Sequence, residues 1–177
     1  TILDNDPFTK FYVVDDAYAD KTYEYQATGA AVENYGLNSG NTSPRGATST
    51  AAGTTVWVAD ANKKVYLYDT SGNTLGSWTA GGLASNAQVE GVATDGKDVW
   101  LVDNQADRVY YYSGAASLTS GSRNAPSCFT LNRGHTIAKA LVTTGHYLGS
   151  ITHGSSDNAL NNIVAGGQLY ALDSANY

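Results

Sequence analysis

The chain of 177 residues has no methionine, one cysteine and no run of eighteen consecutive apolar residues, and each absence removes a class of protein. Without a long apolar run no membrane-spanning helix is expected, and no basic stretch leads into an apolar one as in a signal peptide, so membrane insertion is not expected. The single thiol, Cys128, has no internal partner for a disulfide. It lies in a strand-like stretch and reads as a small buried hydrophobe rather than a nucleophile. Basic residues are scarce, ten Lys and Arg against sixteen Asp and Glu, for a formal net charge of −6. A nucleic-acid partner needs the opposite balance, because phosphates are neutralised by Lys and Arg. The chain opens on Thr1 rather than Met, as a processed or excised piece does.

What the chain has in abundance is Tyr, Thr, Val and Gly, the composition of short β-strands joined by tight turns. It also repeats itself. Phe11-Tyr12-Val13-Val14-Asp15, Val56-Trp57-Val58-Ala59-Asp60 and Val99-Trp100-Leu101-Val102-Asp103 are copies of one segment. Each leads through a short polar loop to a basic residue and an aromatic alternation: Lys21 to Tyr25, Lys64 to Tyr68, Arg108 to Tyr112. Tyr12, Trp57 and Trp100 recur at intervals of 45 and 43 residues, a period that fits a four-stranded propeller blade. The expected fold is therefore all-β, a single β-propeller domain or segment over 1–177 with about four blades, near 1–45, 46–90, 91–139 and 140–177.

Within a copy, the second repeat predicts strands at 46–50, 55–60, 64–69 and 74–80, and the third at 91–95, 99–103, 108–113 and 126–132. The first opens at Ile2-Leu3-Asp4. The fourth copy keeps its ends, Leu141 to Leu148 and Leu172 to Asn176, but Gly149 to Thr152 and Asn158 to Asn162 stand where aromatics belong. Either it is a terminal capping repeat that has lost its packing residues, or the residues written at 147–171 are misassigned. It is expected to form a blade in either case.

Pro44-Arg45-Gly46, Val58-Ala59-Asp60, Asn62-Lys63-Lys64-Val65 and Asp69-Thr70-Ser71-Gly72 stand in the order of the NHL-type propeller repeat, which the chain resembles over 11–132. It is similar, too, to the tandem propeller repeats of very large secreted or surface proteins of marine bacteria, the planctomycetes among them. The resemblance implies an extracellular or cell-surface repeat module without assigned chemistry.

The recurrent residues Tyr12, Asp15, Trp57, Asp60, Lys64, Trp100, Asp103 and Arg108 read as structural. Each Asp either accepts hydrogen bonds from the following turn or pairs with the basic residue opening the next strand, and the aromatics, with Tyr23, Tyr66 and Tyr110, fill the space between blades. Asp4 and Asp95 are the weak metal candidates of the innermost strands, too few for calcium, which takes six to eight oxygens. His135, His146 and His153 match no short zinc spacing, and no Gly-x-Ser-x-Gly elbow is present. Tyr18 and Tyr35, without aromatic counterparts in other copies, are the candidates for exposed contact. The expected function is binding, adhesion or assembly, with a protein or glycan ligand or with copies of itself, no cofactor and no catalytic residue. The alternatives are a lactonase-like hydrolase or lyase whose active site lies in blades not present here, and a repeating subunit of a filament or surface layer.

Overall fold

The computed structural model describes residues 10–16, 19–26, 28–50, 52–132, 137–143 and 169–173, and those residues are all-β. The first sheet is an antiparallel meander of β1 (Lys10–Asp15), β2 (Lys21–Gln26) and β3 (Ala31–Gly36). The second runs β4 (Pro44–Ser49), β5 (Thr55–Asp60), β6 (Lys64–Asp69) and β7 (Thr74–Gly81). The third runs β8 (Val89–Thr94), β9 (Val99–Asp103) and β10 (Arg108–Tyr112). After an arm that contains β11 (Ser122–Asn124), β12 (Ser127–Thr130) completes that sheet. The pair β13 (Ala138–Thr143) and β14 (Leu169–Asp173) forms the fourth. The opening strand expected at Ile2-Leu3-Asp4 and the centre of the fourth copy, 144–168, lie outside the described residues.

The strands form because both of their faces are apolar. In β6, Val65 and Leu67 point one way, Tyr66 and Tyr68 the other, and all four are buried, as alternation demands of a sheet covered on both sides. The turns are equally local in origin. Asp69 Oδ1 accepts the Ser71 amide at 2.9 Å and the Asn73 amide at 2.8 Å, while Gly72 takes a φ of 79°. The bond from the Asn73 amide group also holds the Asp69 carboxyl below its ordinary pKa. The turns into β2, β6 and β10 each end on a left-handed residue, Asp20 (φ 38°), Lys63 (φ 66°) and Asp107 (φ 49°), a conformation Asp tolerates better than most side chains.

Successive sheets pack face to face. Tyr12, Val14, Tyr35 and Leu37 of the first copy meet Val56, Val58, Tyr66 and Tyr68 of the second. The opposite face of the second sheet, with Trp57, Val65, Leu67 and Trp78, meets Val99, Leu101, Tyr110 and Tyr112 of the third. The third sheet then covers Ala138 and Leu141 with Trp100, Val102, Val109 and Phe129. The first strands lie side by side at one edge of this stack. A Cβ on Gly46 would come within 3.1 Å of the Gly91 Cα, and one on Gly91 within 2.9 Å of the Ala140 Cα, so glycine permits the close backbone approach.

Two expectations are corrected here. Cys128 is exposed rather than buried: on the outermost strand of its sheet, Phe129 takes the inward position and its neighbour turns out. The third copy is also not a plain repeat. Between β10 and β12 an arm forms a 3-10 turn at Ala115–Ser117 and then lays β11 parallel to β7 of the preceding sheet, making that sheet five-stranded.

Candidate binding face

The end of the stack where each first strand begins carries a recurrent irregularity. Register shifts separate Pro44 from Gly46, Val89 from Gly91 and Ala138 from Ala140, so Arg45, Glu90 and Lys139 each occupy a one-residue bulge. A bulge breaks the alternation of the pleat and re-aims its side chain. The three charges alternate in sign and each has an ion-pair partner: Lys139 Nζ lies 3.3 Å from Glu90 Oε1, and Arg45 Nη1 lies 3.3 Å from Oδ2 of Asp16, outside the bulges. The Asn104 amide nitrogen donates to the same Glu90 oxygen at 3.4 Å. A shallow cleft between the second and third sheets is lined by Arg45, Ala61, Gln88, Val89 and Glu90.

Behind this row the recurrent aspartates tie the loops. Asp60 Oδ2 accepts the Ser43 amide and its Oδ1 the Asn62 amide, both at 2.8 Å. Asp103 Oδ1 accepts the Gln88 amide at 2.8 Å and the Gln105 amide at 3.0 Å. Each carboxylate thus joins the loop that enters its sheet to the turn that follows its own strand. Ion pairs with the basic residues do not form: Lys64 and Arg108 are exposed and bridge to neither aspartate, and Lys21 donates to Asn34 at 3.0 Å instead of reaching Asp15, itself exposed. Amides fixed 2.8 Å away compete better for a buried carboxylate than a solvated ammonium on a flexible stem.

Tyrosine hydroxyls make a second set of ties. Tyr68 Oη accepts the Asn38 backbone amide and the Asn41 side-chain amide, each at 3.0 Å. Tyr112, at the matching position of the third sheet, donates to the Gly81 carbonyl at 3.1 Å. Tyr66 donates to the Gly40 carbonyl. Burial pushes the Tyr68 and Tyr112 hydroxyls above their ordinary pKa. Tyr111 is raised as well, first by burial and further by the Asp98 carboxylate to which it donates at 2.9 Å. Trp57 is 5% exposed and its Nε1 donates to Ala116 of the arm at 3.0 Å, while Trp100 is 1% exposed against Tyr111. Tyr12 is half-buried and donates to the Gly53 carbonyl at 3.4 Å.

The remaining candidates separate widely. Asp95 stands in the turn after β8, where its Oδ1 accepts the Lys97 amide at 2.8 Å and the Asp98 amide at 2.7 Å. Among the described residues no three His, Cys, Asp or Glu side chains gather as a metal site would require. Asp4, Tyr18, His135, His146 and His153 lie outside the described residues. Tyr35, expected to be an exposed contact, is half-buried between the first two sheets: its ring faces Tyr68 at 6.0 Å and lies directly over Gly72, and burial raises its hydroxyl pKa. It fills the space that glycine leaves on the neighbouring turn.

Sequence reasoning missed three features. The bulges had a signal, a charged residue between small or apolar ones in Pro44-Arg45-Gly46, Val89-Glu90-Gly91 and Ala138-Lys139-Ala140. The polar pair Thr22 and Glu24, fully buried against the second sheet, occupies positions that hold Val65 and Leu67 or Val109 and Tyr111 in the other copies. The arm at 113–125 left no signal beyond the longer gap between two strands.

No family model and no curated protein matches the chain. Among solved structures it is similar to the crystal structure of Kluyvelomyces marxianus Hsv2, a propeller protein, at 10% sequence identity and a TM-score of 0.50, over 75% of this chain and 46% of that one. The chain thus spans less than half the length of that structure, and the likeness concerns the fold alone.

Proposed function

We propose that the chain is a stretch of β-propeller, one sheet to a blade, and that it acts as a non-catalytic repeat module for binding, adhesion or assembly at the cell surface or outside the cell. The radial reading is supported by the first strands lying side by side while equivalent faces of successive sheets bury one another. The NHL-like order of Pro44 to Gly72 supports the placement outside the cell. The observation that carries the non-catalytic reading is how the carboxylates are engaged. Asp60 and Asp95 each accept two backbone amides, Asp98 accepts Tyr111 and Gly114, and Glu90 is paired with Lys139. Side chains holding loops together in this way are not poised for proton transfer or for a cation.

Unfolding with and without a chelator, beside an assay against lactone and polyuronate substrates, tests the reading. Unchanged unfolding and no turnover are expected. A loss near 2.7 kcal/mol on chelation, the stabilisation a site gives at about a hundredfold ligand excess, together with turnover, would replace it with the hydrolase or lyase.

A further inference from the structure

The two layers that flank the second sheet differ at matched positions. Toward the third sheet, β6 buries Val65 and Leu67 in one cluster with Val99, Leu101 and Tyr112. In the layer between the first and second sheets the same two positions of β2 hold Thr22 and Glu24, and both are fully buried. Strand register sets Glu24 opposite Tyr12, and Thr22 between Val14 and Tyr35. Those three neighbours pack on Val56, Val58, Tyr66 and Tyr68 of the second sheet. A carboxyl and a hydroxyl thus stand within an aromatic layer. Even when hydrogen-bonded they are costly to take out of water, whereas burial of the Val and Leu at the same positions of the next copy is favourable.

We infer that this layer is a release plane: the first sheet swings off the second as one body while the second and third stay stacked. Separation returns the Glu24 carboxyl and the Thr22 hydroxyl to water, which offsets part of the apolar contact that is lost. Parting the second sheet from the third gains nothing comparable, because Val65 and Leu67 are exposed instead. The loop after β3 supplies the pivot, since the second sheet holds it from the other side. Tyr68 Oη accepts the Asn38 and Asn41 amides, and the Asn62 side-chain amide donates to the Gly40 carbonyl at 2.9 Å. Two contacts that must break are weak ones, the bond from Tyr12 to the Gly53 carbonyl at 3.4 Å and the solvent-exposed pair of Arg45 with Asp16, as expected of a long hydrogen bond and a surface ion pair. The open form bares Val58 and Tyr66, which the closed form hides. The device is therefore a hinged cover over an aromatic face.

Amide exchange of the full chain at rising, sub-denaturing urea tests this. The amides of β1 and β2, Tyr12 to Val14 and Thr22 to Tyr25, should exchange as one group with a shared urea dependence, about tenfold or more faster than those of β6 and β10. Thr22→Val combined with Glu24→Leu gives the first sheet the residues of the second, and should slow that group about tenfold while leaving β10 unchanged. Circular dichroism establishes that the variant is folded. Should the double variant not fold, Thr22→Val alone carries the same test, with a smaller slowing in the same direction. Exchange of β1 and β2 at the rate of β6 overturns the inference, because the sheets then open together. Fast exchange without urea dependence overturns it as well, since that marks fluctuation of single strands rather than separation of a sheet. Unchanged or faster exchange in the apolar variant shows that the polar pair does not set the release, and overturns it equally.

Discussion

The Asp60 carboxylate holds the Ser43 amide at 2.8 Å and, through its other oxygen, the Asn62 amide at 2.8 Å, so one buried side chain fixes both the entry to the second sheet and the turn inside it. Asp60→Ala leaves those amides without their charged acceptor and is expected to cost about 2–4 kcal/mol in urea unfolding. Lys64→Ala, at an exposed position with no bridge to Asp60, should change stability by about 0.5 kcal/mol or less. Equal losses from the two substitutions would show that the ion pair, not the amide clamp, holds the turn.

Trp57 joins packing to a directed bond, because its ring lies in the layer between the second and third sheets and its Nε1 donates to Ala116 at 3.0 Å. Trp57→Phe keeps most of the buried area and should cost about 1–2 kcal/mol, most of it from the unmet Ala116 carbonyl. Trp57→Ala also opens a cavity and should cost about 3–5 kcal/mol. Nearly equal losses would mean that the hydrogen bond matters more than the packing.

The all-β class was legible because the apolar alternation of segments such as Lys64–Asp69 is written in consecutive residues and needs no tertiary context. The burial of Trp57, Tyr66 and Trp100 was legible for a related reason, since their recurrence in register reports a shared environment. Tyr35 misled because it has no counterpart in other copies, yet its place is set by Gly72, far away in sequence and at 2.3 Å from the Tyr35 Cγ if it carried a Cβ. The aspartate partners were ambiguous because a basic side chain and a turn amide stand equally near in sequence, and only geometry decides between them. The bulges at Arg45, Glu90 and Lys139 depend on strand register, which composition does not encode.

The arm of the third copy is held by backbone contacts that glycine makes possible. The Ser77 amide donates to the Thr119 carbonyl at 3.0 Å and the Thr79 amide to the Gly121 carbonyl at 2.9 Å, while a Cβ at Gly76 would stand 2.2 Å from the Thr119 oxygen. Gly76→Ala is therefore expected to lift the arm, with faster amide exchange at Ser77 and Thr79 and little change at Val65 or Leu67 in the layer beneath. Unchanged exchange at Ser77 would show that the arm absorbs a methyl group without moving.

Alkaline pH should loosen the stack before it affects any single loop. Burial raises the hydroxyl pKa of Tyr35, Tyr68 and Tyr112 in the folded chain, whereas the unfolded chain releases those protons near the ordinary value of about 10. Above that value the unfolded state binds fewer protons than the folded one, so the stability these hydroxyls contribute is fully present below pH 10 and is lost as pH climbs toward the folded pKa values. Tyr68 also ties the loop that precedes its sheet, and Tyr112 ties the end of β7 in the preceding sheet, which places the loss at the junctions between sheets. Urea midpoints should be insensitive to tyrosine ionisation from neutral pH to about 9 and fall steeply beyond about 10. Tyr68→Phe and Tyr112→Phe each remove one titrating group and should make that fall shallower while lowering stability at neutral pH by about 1 kcal/mol for the lost bond. If the double variant shows the wild-type slope above pH 10, the alkaline loss comes from other groups, and the buried hydroxyls are not what couples the sheets to pH.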